Sequence, residues 1–178
     1  MFDFEERRAL VTGATGGIGA SIASMLHGQG ATVVLSGSRK ETLQGQAETL
    51  GRRAHAVPCD FRNPGTVERL LSDSIGLVGG IDILVHCAGF TRDNLAMRMK
   101  DAEWQDVIDI NLGIGFRLAR ASLRGMIKAR WGRIIYITSI VGSTGNPGQT
   151  NYAASKAGLT GMAKSLSLIH ISEPTRPY

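Results

Sequence analysis

Five short apolar runs, at residues 9–12, 31–36, 54–59, 81–86 and 133–138, recur along the chain, each separated from the next by a longer stretch that includes amphipathic segments. Most are rich in Val, Ile and Leu, too short for core helices, and nearly continuous in their apolar character, which is the pattern of strands buried on both faces. Residues 17–29, 40–51, 63–78, 100–130 and 151–166 carry helical spacing, and the fourth of these divides into two helices near 111–115. Strands that must be covered on both sides and alternate with helices pair in parallel, through crossover connections. The expected fold is therefore α/β, a doubly wound parallel sheet of Rossmann type. At 178 residues and 43% apolar, with no internal repeat or low-complexity linker, the chain builds one core and one domain, expected over 1–166.

Such sheets bind ligands beyond the carboxyl ends of their strands, where Gly13, Gly37, Asp60, Gly89 and Ser139 fall. The first of these ends carries TGATGGIG at 12–19, with Gly13, Gly17 and Gly19 between a strand and a helix. Residues without side chains permit a tight turn and let backbone amides approach a pyrophosphate at the positive end of the helix. A flexible glycine-rich turn would have the same composition; the strand before it and the helix after it favour a dinucleotide site. At the end of the second strand, LSGSRK at 35–40 lacks the acid that would accept a ribose 2′-hydroxyl and repel a 2′-phosphate. Ser38, Arg39 and Lys40 offer hydroxyl and cationic groups instead, so the expected cofactor is NADP(H) rather than NAD(H).

Tyr152 and Lys156 stand four residues apart in NYAASKAG, with Ser139 thirteen residues before the tyrosine. On a helix the lysine and the tyrosine share a face, and an ammonium beside a phenol favours its ionised form. A phenol so assisted can protonate a carbonyl oxygen that a serine hydroxyl holds in place. The competing reading is an exposed Tyr and Lys at the start of a helix.

Composition excludes several other classes. The formal charge of +5 is spread over short groups such as Arg7-Arg8 and Arg52-Arg53, the pattern of solvated helix faces rather than of a nucleic-acid stripe. No apolar run approaches the roughly 20 residues of a membrane span, and MFDFEERRAL is acidic where a leader would be basic, so a cytoplasmic protein is expected. Cys59 and Cys87 read as buried free thiols, and His27, His55, His86 and His170 have no metal-ligand spacing, so no metal site is expected.

Taken in order, TGATGGIG, CDF at 59–61, AG at 88–89, Asn111, Ser139, Tyr152 and Lys156 resemble the short-chain dehydrogenase/reductase family from about residue 8 to 166. Residues 89–112 and 132–166 resemble those bacterial members that reduce 3-oxoacyl thioesters on acyl carrier protein in fatty-acid synthesis. The resemblance implies Tyr152 as general acid, Ser139 as the partner of the carbonyl oxygen, Lys156 on the nicotinamide ribose, and Asn111 as anchor of a water relay. It also implies Gly13, Thr15, Gly17, Ile18 and Gly19 around the pyrophosphate, Asp60 at the adenine, Phe61 among the cofactor-binding residues, and backbone contacts at Ala88 and Gly89. Lys128 and Arg130 become candidates for contact with the acidic carrier protein, with a solvated helix end as the alternative. The alternative activities are reduction of acetoacetyl-CoA or another small ketone, or binding of a dinucleotide without catalysis.

Three departures from the family stand out. His86-Cys87 replaces the usual Asn-Asn pair, removing amides expected to tie the fourth strand into the sheet. Gly16 stands where NADP-dependent members often carry arginine, leaving Arg39 more of the phosphate contact. Residues 167–178 abandon the helical pattern, and Leu166 to Arg176 resemble the translation of a sequencing-library adaptor, so a truncated reductase with a non-native tail is expected. A family tetramer would then lose one interface, leaving a dimer at most, and the edge of the fifth strand would be unpaired and prone to aggregate.

Overall fold

A computed structural model describes residues 3–168. Its sheet has five parallel strands: β1 (Arg8–Thr12), β2 (Thr32–Gly37), β3 (Ala54–Pro58), β4 (Ile83–His86) and β5 (Arg133–Tyr136). Their order is β3-β2-β1-β4-β5, so the chain reverses its direction of winding between β1 and β4. Alternate residues of the central strands feed two cores. Leu10, Val34 and Leu84 face one side, while Val11, Leu35 and Val85 face the other. All six are 1% exposed or less, and a fully buried side chain of this size contributes about 1.5–3 kcal/mol.

The helices α1 (Gly17–Gly28) and α2 (Lys40–Leu50) cover one face, and α3 (Pro64–Val78) and α5 (Ile114–Ala129) the other. Asn63 starts α3 by accepting a hydrogen bond from the Gly65 amide at 3.0 Å, with Pro64 next in line where its missing N–H costs nothing. Ahead of α5 comes α4 (Asp101–Ile108). The division expected at 111–115 is a single π-helical turn, Asp109–Gly113, within one helical run. The structure also contains a 3₁₀ turn at Ala96–Arg98 and a short helix α6 (Val141–Thr144), neither expected from sequence, and α6 precedes α7 (Thr150–Leu166).

Strand boundaries moved by one or two residues for long-range reasons. β5 stops at Tyr136 instead of 138, and the next carbonyl, that of Ile137, is taken by Lys156 Nζ at 2.7 Å. β4 begins at Ile83, and Asp82 just before it is tied to the start of β1, its carboxylate accepting from Arg8 Nε and Nη2 at 2.7 and 2.8 Å. Among the described residues β5 pairs with β4 alone, and Ile135 is 43% exposed there. Trp104 on α4 and Phe116 and Ile127 on α5 are also exposed. Among the described residues, no helix is long and apolar enough to cross a membrane, and no cluster of His, Cys, Asp or Glu could hold a metal ion. The adaptor-like tail lies outside the described residues from 169 onward.

Candidate active site

The glycine turn is built by the way β1 ends. Gly13 has a φ of +67°, and a Cβ on it would stand 2.8 Å from the Ala88 nitrogen, so both its conformation and its packing exclude a side chain. A Cβ on Gly19 would meet the Gly13 carbonyl. Thr12 then draws the end of β4 onto this turn, its hydroxyl accepting the Cys87 and Ala88 amides at 3.2 Å each. Helix α1 opens on Gly16 with no side-chain cap and no acid in its first turn. Its amides and positive end are thus left to an anion.

A cleft of about 360 Å³ lies above this turn, and ten residues named from sequence line it: Gly13, Thr15, Gly17, Ile18, Gly19, Ser38, Arg39, Phe61, Ala88 and Gly89. Asp60 and Phe61 line an adjoining cleft of about 220 Å³ with Arg62 and Phe90. The uncapped helix end and the side-chain-free turn fit the pyrophosphate of a dinucleotide. Arg39 sits at the rim of the first cleft, its Nη2 donating to the Thr15 carbonyl. A larger groove of about 540 Å³, lined by Ala20, Ala23, Leu35 and Leu50 between α1 and α2, is apolar and lacks converging charged groups.

The tyrosine side adjoins the same cleft. On α7 the Lys156 ammonium sits 5.6 Å from the centre of the Tyr152 ring. Lys156 is 4% exposed, and burial draws its pKa below the usual lysine value. A Cβ on Gly89 would stand 3.6 Å from Lys156 Nζ and 3.0 Å from Asn111 Oδ1, so the cofactor cleft runs directly into these side chains. Ser139 follows β5, its Oγ accepting the Val141 amide at 3.2 Å. Its loop is pressed on α7, since a Cβ on the nearby Gly142 would be 2.9 Å from the Ala157 nitrogen.

Asn111, in the π-turn, is fully buried and clamps Phe90 from both sides. Its Nδ2 donates to the Phe90 carbonyl and its Oδ1 accepts the Phe90 amide, each at 3.0 Å. Nδ2 also donates to Ser155 Oγ at 3.1 Å, and that hydroxyl donates to the Tyr152 carbonyl at 2.7 Å. Asn151 accepts the Tyr152 amide at 2.8 Å and donates to the carbonyl of Arg92 at 3.0 Å, holding the start of α7 against the loop after β4.

Thr12, Asn151 and Ser155 were missed from sequence; the available signal was small polar residues placed on buried faces. Two expectations need correction. Cys59 is buried, but Cys87 is only half-buried and lines the cofactor cleft. The loss of the Asn-Asn amides does not leave β4 untied, because His86 bonds in both directions. Its Nε2 lies 3.0 Å from the Asn111 carbonyl and its Nδ1 3.1 Å from Thr12 Oγ1. Lys128 and Arg130 are exposed at the end of α5, well apart in sequence from the cleft residues.

Residues 7–172 match the family model described as short chain dehydrogenase. The chain belongs to the short-chain dehydrogenase family. Among similar members of this family, Nodulation protein G of Rhizobium sp. (strain N33) is 51% identical over 167 residues, covering 94% of this chain and 68% of that protein. The 3-oxoacyl-[acyl-carrier-protein] reductase FabG of Escherichia coli (strain K12) is 47% identical over 165 residues, 93% of this chain and 68% of its own length. The enzyme of the same name from Rickettsia typhi is 48% identical over 167 residues, again 68% of its length. Membership in the short-chain dehydrogenase family makes this an oxidoreductase sequence with a nicotinamide dinucleotide as cofactor.

Proposed function

We propose that this chain carries the cofactor and proton-transfer sites of an NADPH-dependent reductase that converts 3-oxoacyl thioesters of acyl carrier protein to 3-hydroxyacyl thioesters in the cytoplasm. The observation that carries the reading is the buried Lys156 ammonium beside the Tyr152 ring, at the point where Gly89 brings the cofactor cleft against Asn111. When bound, the dinucleotide would supply a hydride to the ketone carbon. Tyr152 gives its phenolic proton to the ketone oxygen, which Ser139 holds by its hydroxyl. Lys156 offsets the charge left on Tyr152 and binds the nicotinamide ribose. Asn111 keeps the loop at Phe90 fixed and anchors the water that returns a proton.

Arg39 and Ser38 support the preference for NADP(H), since both border the cleft and no acid stands beside them in LSGSRK. Lys128 and Arg130 are the candidate contacts for an acidic carrier protein, and the exposed Trp104, Phe116 and Ile127 support pairing of α4 and α5 between copies. Identity to Nodulation protein G is as high as to the named reductases, so the acyl substrate is what a test must vary.

The test follows NADPH consumption with acetoacetyl thioesters of coenzyme A and of acyl carrier protein. Turnover with both, faster on the carrier protein, and its abolition in Tyr152→Phe with NADPH binding retained, is the expected result. Wild-type turnover in Tyr152→Phe would remove the proton-donor assignment. Binding of NADPH with no turnover on any ketone would leave a dinucleotide-binding chain without catalysis.

A further inference from the structure

We infer that His86 is a positioning residue for the reacting end of the site, holding the main chain of Asn111 and seated for that task by the absent side chain of Gly115. The inference rests on the reductase reading above. The Asn111 carbonyl can only accept, so the hydrogen of the imidazole is on Nε2, 3.0 Å away. Nδ1 is then an acceptor, and at 3.1 Å it is the nearer partner for the Thr12 hydroxyl proton, the Val85 carbonyl standing off at 3.5 Å. With that donation and the two amides it accepts from Cys87 and Ala88, the Thr12 hydroxyl is fully used. One neutral ring thus links the glycine turn to the π-turn.

From the π-turn the link continues through the Asn111 carboxamide to Phe90 and Ser155, and from Ser155 to the Tyr152 carbonyl. The titratable neighbours facing the ring do not compete for its nitrogens. Tyr136 on β5 meets it edge to face at 6.2 Å, and the Tyr136 hydroxyl points to the Gly115 carbonyl at 3.4 Å. Lys156 on α7 is committed to Ile137, and Cys87 is the next residue along the chain.

The ring fits only because α5 has no side chain where it passes. A Cβ on Gly115 would be 2.9 Å from His86 Cδ2, 3.2 Å from Nε2 and 3.2 Å from Leu159. Such a contact would drive the imidazole off the Asn111 carbonyl. His86 and Gly115 are therefore one unit: the histidine supplies the bond and the glycine supplies its space.

Three measurements on the 178-residue chain test this. Nitrogen-15 spectra should show His86 as a neutral ring with two well-separated nitrogen resonances, protonated at Nε2; the opposite tautomer, or an averaged pair, would overturn the inference. His86→Gln can place an amide N–H near the position of Nε2, whereas His86→Asn reaches only as far as Nδ1. On acetoacetyl thioester, kcat should therefore fall by about tenfold or more in His86→Asn and recover most of that loss in His86→Gln, with KM for NADPH alike in the two. Equal losses in both variants, in step with their melting temperatures, would reduce His86 to a packing residue. Finally, Gly115→Ala should lower kcat and shift the His86 and Asn111 resonances together in the wild-type background, whereas in His86→Asn it should have a much smaller effect on kcat and on the Asn111 resonances. Additive effects would refute the coupling. If the chain reduces no ketone, the reductase reading fails separately, and the tautomer and the resonance shifts alone decide the inference.

Discussion

His86 makes this protein's stability depend on pH in a window where few other groups titrate. Burial, aided by the charge of Lys156 and opposed by the bond to Asn111, brings its pKa down from the ordinary 6.5 to about 4. The folded state therefore resists a proton that the unfolded state accepts. The stabilisation from a neutral His86 is whole above about pH 6.5, falls as the pH drops below that value, and is fully lost at about pH 4. At 1.36 kcal/mol for each tenfold change in proton affinity, the loss across the window is about 3 kcal/mol, a large share of the 5–15 kcal/mol typical of a domain. Urea unfolding at half-unit steps from pH 7.5 to 4.5 should show the free energy falling through the window, whereas His86→Gln should lose much less of that slope-bearing stability. His27 is depressed in the same direction but is only partly buried, and serves as the control through His27→Gln. A wild-type curve that is flat between pH 6.5 and 4.5, or one whose slope persists in His86→Gln, would refute the assignment of a buried neutral ring.

Arg39→Ala should weaken NADPH far more than NADH, by about 1.5–3 kcal/mol for a lost charge-assisted hydrogen bond; isothermal titration with both cofactors measures the difference, and equal weakening would show that Arg39 does not read the 2′-phosphate. Gly13→Ala should abolish dinucleotide binding and destabilise the fold, since the residue would carry both a φ of +67° and a contact 2.8 Å from the Ala88 nitrogen; retained binding by titration would show that the turn can shift. For Asp82, burial alone would raise the carboxyl, but the hydrogen bonds and charge of Arg8 hold it below the usual carboxylate range. Asp82→Asn should therefore cost about 2–3 kcal/mol, under the figure for fully buried pairs because the Arg8 side chain is 32% exposed; this cost should be constant from pH 5 to 8 and shrink only as the pH falls through the carboxylate range, which denaturant curves can follow.

The alternation of apolar runs and helices was enough to predict the architecture because buried parallel strands leave a continuous apolar signal. The ends of those strands were not legible, because they depend on partners such as Lys156, nineteen residues beyond the Ile137 carbonyl it captures. The glycine turn and the Tyr-Lys pair were readable for a different reason: each is a local spacing whose geometry the chain enforces on itself. Asn111 entered through the family resemblance, but the π-turn that carries it did not, since nothing in DINLG reveals contacts with Phe90 and Ser155. His86 was read as a loss. Its value depends on Gly115, and the two meet only when α5 lies against β4. Thr12 gave no signal because a threonine at the end of a strand is ordinary until its hydroxyl is seen to serve three partners.

The strand order also sets the timing of synthesis. Thr12 and the amide of Cys87 that it accepts are 75 residues apart, a delay of roughly 4 to 15 s at translation rates of about 5–20 residues per second. β2 and then β3 are made within that interval and can add to one side of β1, while its other edge, the future centre of the sheet, waits unfilled. The glycine turn is present early in the nascent chain, but its floor at Ala88 is not. A dinucleotide consequently has nothing complete to bind until β4 has docked, and its stabilisation by mass action falls on the finished sheet alone. Abundant cofactor should thus slow the loss of folded molecules without hastening the early steps of their formation.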